Sequence, residues 1–116
     1  MNKNEFVFND CDICINPNKL DGQVKKYRWE IETACADGKW VFGFMFDTPT
    51  SGWSSGAWSK DKENFPSEQD AVKAAAQRGI SFFEREHKGG MNIPLQLFQE
   101  LKELGRAPKP VQLTLF

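Results

Sequence analysis

One histidine, one tyrosine and three cysteines are all that this chain of 116 residues holds of those types, and each shortage removes a class of function. An odd number of cysteines argues against a disulfide framework. Cys11 and Cys14 form a C-x₂-C, with only Cys35 and His87 to complete a zinc site. No second close ligand pair exists, and on a regular strand Cys11 and Cys14 face opposite ways, so buried free thiols are expected and no metal. His87 stands in Glu84-Arg85-Glu86-His87-Lys88, at the expected end of a helix, where a cation complements the dipole. No nucleophile motif such as G-x-S-x-G accompanies it. The acids alternate with bases or fall on solvent faces, and Gly79 and Gly89-Gly90 are isolated rather than part of a phosphate loop. No enzyme and no cofactor are expected. A net charge of −1 gives no general attraction to nucleic acid or to an anionic membrane. There is no apolar run of spanning length, and Met1-Asn2-Lys3-Asn4-Glu5 has no signal-peptide core behind it, which points to a bacterial-type cytoplasm.

What the chain does have is aromatic bulk: ten Phe and four Trp, with Tyr27 bringing aromatics to 13%. Much of it falls in two alternating runs, Tyr27 to Thr33 and Lys39 to Phe46, with Asp37-Gly38 between them. Asp-Gly suits a two-residue hairpin turn in which both residues take positive φ. Such a loop sets Cys35 opposite Trp40, Thr33 opposite Phe42, Ile31 opposite Phe44 and Trp29 opposite Phe46, all on one buried face. Arg28, Glu30, Glu32, Gly43, Met45 and Asp47 fall on the other face, with Arg28 opposite Asp47 as a charge pair.

Upstream, Glu5-Phe6-Val7-Phe8 and Asp12-Ile13-Cys14-Ile15 read as one strand whose apolar parity switches near Asn9-Asp10, a bulge or bend. Asn16-Pro17-Asn18 and Asp21-Gly22 read as a loop, as does Asp47 to Gly52. Trp53 to Lys60 is a weaker strand candidate, in which Trp53 and Trp58 point to opposite faces. Set among small residues with Lys60 and Lys62 nearby, these two tryptophans are the candidates for an exposed partner contact. The sheet's aromatic rings also suit base stacking, although covering them with a helix is the simpler use.

The period then changes. Ser67 suits an N-cap, and the spacing predicts a helix to Lys88 that Gly89-Gly90 closes. Val72, Ala75, Ala76, Gly79, Ile80 and Phe83 form its apolar stripe. A second helix starts near Pro94, carries Leu97, Phe98, Leu101 and Leu104, and ends at Gly105. The expected fold is α+β: an antiparallel sheet of three to five strands followed by two helices on one face, in two layers. Residues 1–104 form this body, and residues 105–116 a tether and peptide.

The sequence closes on Gln112-Leu113-Thr114-Leu115-Phe116, behind Gly105-Arg106-Ala107-Pro108-Lys109-Pro110. The stretch resembles the peptide by which bacterial replication and repair proteins dock on the DNA sliding clamp: Gln-Leu, a small or acidic residue, then Leu-Phe. Four specified positions match by chance at roughly one in 10⁵ per site, from average residue usage. The resemblance implies that Gln112, Leu113, Leu115 and Phe116 make the contact, with Thr114 as a spacer. Leu115 and Phe116 then fill an apolar pocket while the Gln112 amide fixes orientation. It implies a clamp partner, with nucleic acid met only indirectly or weakly, and suits a phage or mobile-element replication modulator. The alternation of Val111 to Phe116 also fits a terminal sheet strand beginning at Pro110. On that alternative the chain is a self-contained binding domain whose partner meets Trp53 and Trp58, or a weak single-strand nucleic-acid binder.

Overall fold

The computed structural model describes residues 5–106, so the expectations for Gln112, Leu113, Leu115 and Phe116 lie outside the described residues. The elements are β1 (Asn18–Val24), β2 (Tyr27–Ala36), β3 (Lys39–Asp47), β4 (Gly52–Ser55), α1 (Glu68–Lys88) and α2 (Leu95–Leu104). The four strands lie in the order β1-β2-β3-β4, each antiparallel to its neighbour. Both helices pack on one face, which makes the fold α+β.

The central hairpin has the expected register. Asp37 and Gly38 take φ of 53° and 78°. Trp29 pairs with Phe46, Ile31 with Phe44, Thr33 with Phe42 and Cys35 with Trp40. Trp29, Ile31, Phe42, Phe44 and Phe46 are buried under Ala71, Ala75, Ala76, Ile80, Phe82 and Phe83 of α1 and Leu97 and Leu101 of α2. Gly79 lets the helix come close: a Cβ there would lie 2.7 Å from the Phe46 ring. Ser67 caps α1 by accepting a hydrogen bond from the Asp70 amide at 3.2 Å, and Gly89 closes the helix. The carboxylate of Glu68 in the first turn accepts from Thr33 Oγ1 at 2.7 Å and from Asn18 Nδ2 at 2.9 Å, so the one buried polar group of β2 is satisfied and the helix start is tied to the sheet. α2 follows Pro94 and ends at Gly105, and Glu100 on it accepts from the Trp29 indole at 3.0 Å.

Three expectations need correction. The loop expected across Asn18 to Gly22 belongs to β1, an edge strand. Leu20 is the only large apolar residue over that stretch and it is 43% exposed, so the hydrophobic alternation that marks a strand is missing. Gly22 is there for a reason other than a turn: a Cβ would fall 2.5 Å from Trp29 Nε1, because the indole lies across the strand.

Residues 5–15 are not one strand with a bulge; the chain reverses. Phe8 bridges Cys14, and Asn9 Oδ1 accepts from the amides of Cys11 at 2.8 Å and Ile13 at 3.0 Å, with Asp12 at a φ of 65°. The parity switch marks two facing arms. Phe6, Phe8 and Cys14 pack inward on Ala34, Val41 and Ala57, on the sheet face opposite the helices.

The third correction concerns Trp53 to Lys60, where only Gly52–Ser55 stays in the sheet. At Gly56 the chain crosses over Gly43, where a Cβ would meet the backbone of residues 55–57 at 2.6 Å, and Trp58 then bridges Ile13. Apart from Met45, the rest of that sheet face is mostly polar. Arg28 and Asp47 stand in register as expected, while the ion pairs there join Lys19 to Glu30 at 3.9 Å and Glu32 at 3.8 Å. Burial pushes the Glu32 carboxyl above its ordinary range, with Lys19 opposing.

Candidate partner surfaces

Trp53 and Trp58 end up on opposite sides of the molecule. Trp53 pairs in register with Phe46 and lies on the helix side, edge-on to Phe44 at 4.6 Å and 6.3 Å from Phe82. The Arg78 guanidinium of α1 sits over the same aromatic row, 5.3 Å from Phe42, 5.9 Å from Phe44 and 6.0 Å from Trp53. Glu63 holds Arg78 in place at 2.6 Å. At 39% exposure Trp53 is the rim of the main core, with one ring face packed and the cation partnered.

Trp58 sits in a different setting. Segments 7–8, 12–15 and 57–59 form a small bridged layer on the far sheet face: the Ile15 amide donates to the Val7 carbonyl, that of Cys14 to Ala57 and that of Ser59 to Asp12, each at 2.9 Å. Alternation then decides which side chains face out. With Phe6, Phe8, Cys14 and Ala57 turned inward, Val7, Ile13, Ile15 and Trp58 take the outer side. Ile15 is 63% exposed, Val7 48% and Trp58 43%, which makes this the largest grouping of exposed apolar side chains among the described residues. Lys60 pairs with Asp12 at 3.1 Å at its border. Sequence reading found Trp58 but not Val7 or Ile15. The signal was the parity switch itself, since arms that face each other turn opposite parities to the core.

A third surface lies at the end of the molecule where the β1–β2 turn, the β3–β4 loop and the segment between the helices meet. Lys25, Lys26, Tyr27, Pro49, Asn92 and Pro94 line a hollow of about 380 Å³. The Tyr27 hydroxyl donates to the Asn92 carbonyl at 3.2 Å, which fixes the ring. Beside it, Thr50, Arg85, Glu86, Gly89, Gly90 and Met91 line a second hollow of about 490 Å³. Sequence reading did not single out these residues, although Lys25-Lys26-Tyr27-Arg28 interleaves cations with an aromatic ring.

The cysteines and His87 do not converge. Cys11 is exposed, Cys14 is buried with its thiol pushed above its ordinary value by that burial, and Cys35 lies on β2. His87 Nδ1 is 3.0 Å from the Met91 carbonyl, which it meets as a donor when protonated there. Among the described residues no group of three or more His, Cys, Asp or Glu could hold a metal ion, and no helix is long and apolar enough to cross a membrane. Comparison with protein-family models, with curated proteins and with solved structures finds no match to this chain.

Proposed function

We propose that this chain is a small non-enzymatic docking protein that binds the bacterial DNA sliding clamp through Gln112, Leu113, Leu115 and Phe116, in a bacterial-type cytoplasm. The observation that carries the reading is the order Gln112-Leu113-Thr114-Leu115-Phe116, in which every fixed position of the clamp-binding peptide is matched. The fold is compatible with it. α2 is closed at Gly105, and Gln69 Nε2 donates to the Arg106 carbonyl at 2.6 Å, so the chain is held at the surface where the tether begins. Pro108 and Pro110 favour extension of about 3.1 Å per residue, enough for six residues to reach about 20 Å from the body. The body then serves as cargo, brought to replicating DNA in the manner of a phage or mobile-element modulator.

The test is surface plasmon resonance of the whole chain against a bacterial sliding clamp. Binding in the micromolar range, about −8 kcal/mol at 1 μM, is expected. Joint Leu115→Ala and Phe116→Ala substitution should remove it, because both pocket anchors go. Deleting residues 111–116 should also abolish binding while leaving the melting temperature within about a degree or two, since 1 kcal/mol of core contact corresponds to about 4 °C or more. A deletion that melts many degrees lower, with no clamp binding by the intact chain, would make the segment a sheet strand.

A second reading is favoured by the exposure of Val7, Ile15 and Trp58. A contiguous apolar patch rimmed by charge suits a protein partner of the body, independent of the clamp. Intact binding by the doubly substituted tail would leave this as the better account.

A further inference from the structure

We propose that the groove at the β1–β2 turn binds single-stranded DNA, with Lys25 and Lys26 on the phosphates and Tyr27 beneath a base. The inference does not rest on clamp docking. It also differs from base stacking on the sheet, because the aromatic face there is covered by α1 and α2.

Three observations carry it. The first is charge. Lys25, Lys26, Arg85 and Lys88 make no ion pair among the described residues. The acid that lines the groove, Glu86, accepts a hydrogen bond from Ser51 Oγ at 2.8 Å, which partly occupies its carboxylate. The end of a chain with net charge −1 is therefore locally cationic, as a polyanion requires. Arg85 and Lys88 also complement the negative end of α1, so the two lysines of the turn are the cations without another task.

The second observation is shape. The first hollow has ring-bearing walls, Tyr27, Pro49 and Pro94, close to the lysines. An unpaired base can place its face there while the backbone runs past the cations, the combination single-strand binders use. A duplex keeps its base faces stacked and could engage the lysines alone. The second hollow adjoins the first through Pro49–Thr50 and Met91–Asn92, and extends the track toward Arg85.

The third is backbone strain. Lys25 has a φ of 57°, in a region where Gly or Asn is at ease and a long side chain is not. The same molecule solves its other two-residue turn with Asp37-Gly38. A lysine kept where the turn favours another residue is a local conflict of the kind found at functional sites.

The test is fluorescence anisotropy of the whole chain with a labelled oligothymidine of about 12 nucleotides and with a duplex of equal length, at about 50 to 200 mM salt. Binding of the single strand with a Kd of about 10⁻⁴ to 10⁻⁶ M is expected, weakening as salt rises. Joint Lys25→Glu and Lys26→Glu substitution, at exposed positions that leave the circular dichroism unchanged, should weaken it about tenfold or more and reduce the salt slope by about 2. Tyr27→Leu should weaken binding about fivefold or more with the salt slope kept, the signature of lost stacking. Leu115→Ala with Phe116→Ala should leave DNA affinity unchanged, which separates this site from the clamp peptide. No binding at about 50 mM salt, or a double charge variant that binds as the parent does, would overturn the site. Equal or tighter binding of the duplex would overturn its assignment to single strands.

Discussion

Two of the three hairpins of this sheet, β1–β2 and β2–β3, have turns of the same length and opposite chemistry. Asp37-Gly38 joins β2 to β3 with φ of 53° and 78°, both at residues suited to positive φ. Lys25-Lys26 joins β1 to β2, with Lys25 forced to 57°. The first hairpin lies in the middle of the sheet beneath two helices, and turn, alternation and burial all favour the same register. The second has an edge strand with one large exposed apolar residue, Leu20, on its first five positions. The difference teaches that a hairpin needs good turn chemistry less when a well-defined neighbour templates it. β2 is already specified by β3, so β1 can pair along its free edge with a strained turn and a mostly polar sequence. What a turn does not need for folding it can use for a side chain.

The largest break in this comparison should come from the core. Phe46→Ala removes a fully buried ring packed at 5.0 Å on Phe44 and 5.9 Å on Phe83. It should cost about 3–5 kcal/mol in urea unfolding, against a total of about 5–15 kcal/mol. Leu20→Ala on β1, at 43% exposure, should cost under about 1 kcal/mol. Similar losses for the two would show that β1 carries as much of the fold as β3.

The glycines sharpen it next. Gly22→Ala should cost about 1–3 kcal/mol, because the new methyl falls 2.5 Å from the Trp29 indole and either the ring or the strand must move. The indole's bond to Glu100 should weaken too, so Trp fluorescence should shift with stability. Gly38→Ala meets nothing within 4 Å, and its penalty of about 1 kcal/mol comes from φ alone. A Gly22 variant no more costly than the Gly38 one and with unchanged Trp fluorescence would mean that Trp29 does not lie over β1.

These contrasts also explain what could be read in advance. The β2–β3 register, the capping of α1 by Ser67 and the stripe from Val72 to Phe83 were legible because independent signals agreed. β1 was not, because Asp21-Gly22 looks like a turn when Gly22 is in fact making room for a ring. The reversal at Asn9 was seen only as a change of parity, since main-chain bonds within residues 9–13 and one asparagine side chain close it, with no Gly or Pro to mark the turn. Of the candidate surfaces, Trp58 was visible as an aromatic residue in a weak strand. Its companions Val7 and Ile15 were not singled out, because alternation gives two faces and does not say which is outside. The groove at Lys25 was hidden for a different reason: Pro49, Asn92 and Pro94 come from distant loops that only the fold assembles.

The smallest effect separates strain from function. Lys25→Asn keeps the turn length and places at φ of 57° a residue that tolerates the left-handed region. Relief of a part of the roughly 1–2 kcal/mol that a side chain with Cβ loses there should raise stability by about 0.5 kcal/mol. That is about 2–4 °C in the melting temperature of a domain this size. The same substitution removes a cation from the groove, so affinity for single-stranded DNA should fall while the protein becomes more stable. A gain in stability at unchanged affinity would leave the strain real and take Lys25 out of the site. A loss of stability would mean that contacts of the lysine side chain outweigh its backbone strain; the bond from Gln23 Nε2 to the Lys25 carbonyl at 2.9 Å is not among them, because any residue here could accept it. Since that bond is to the main chain, it survives the substitution, and the opposite movement of stability and affinity is the expected result.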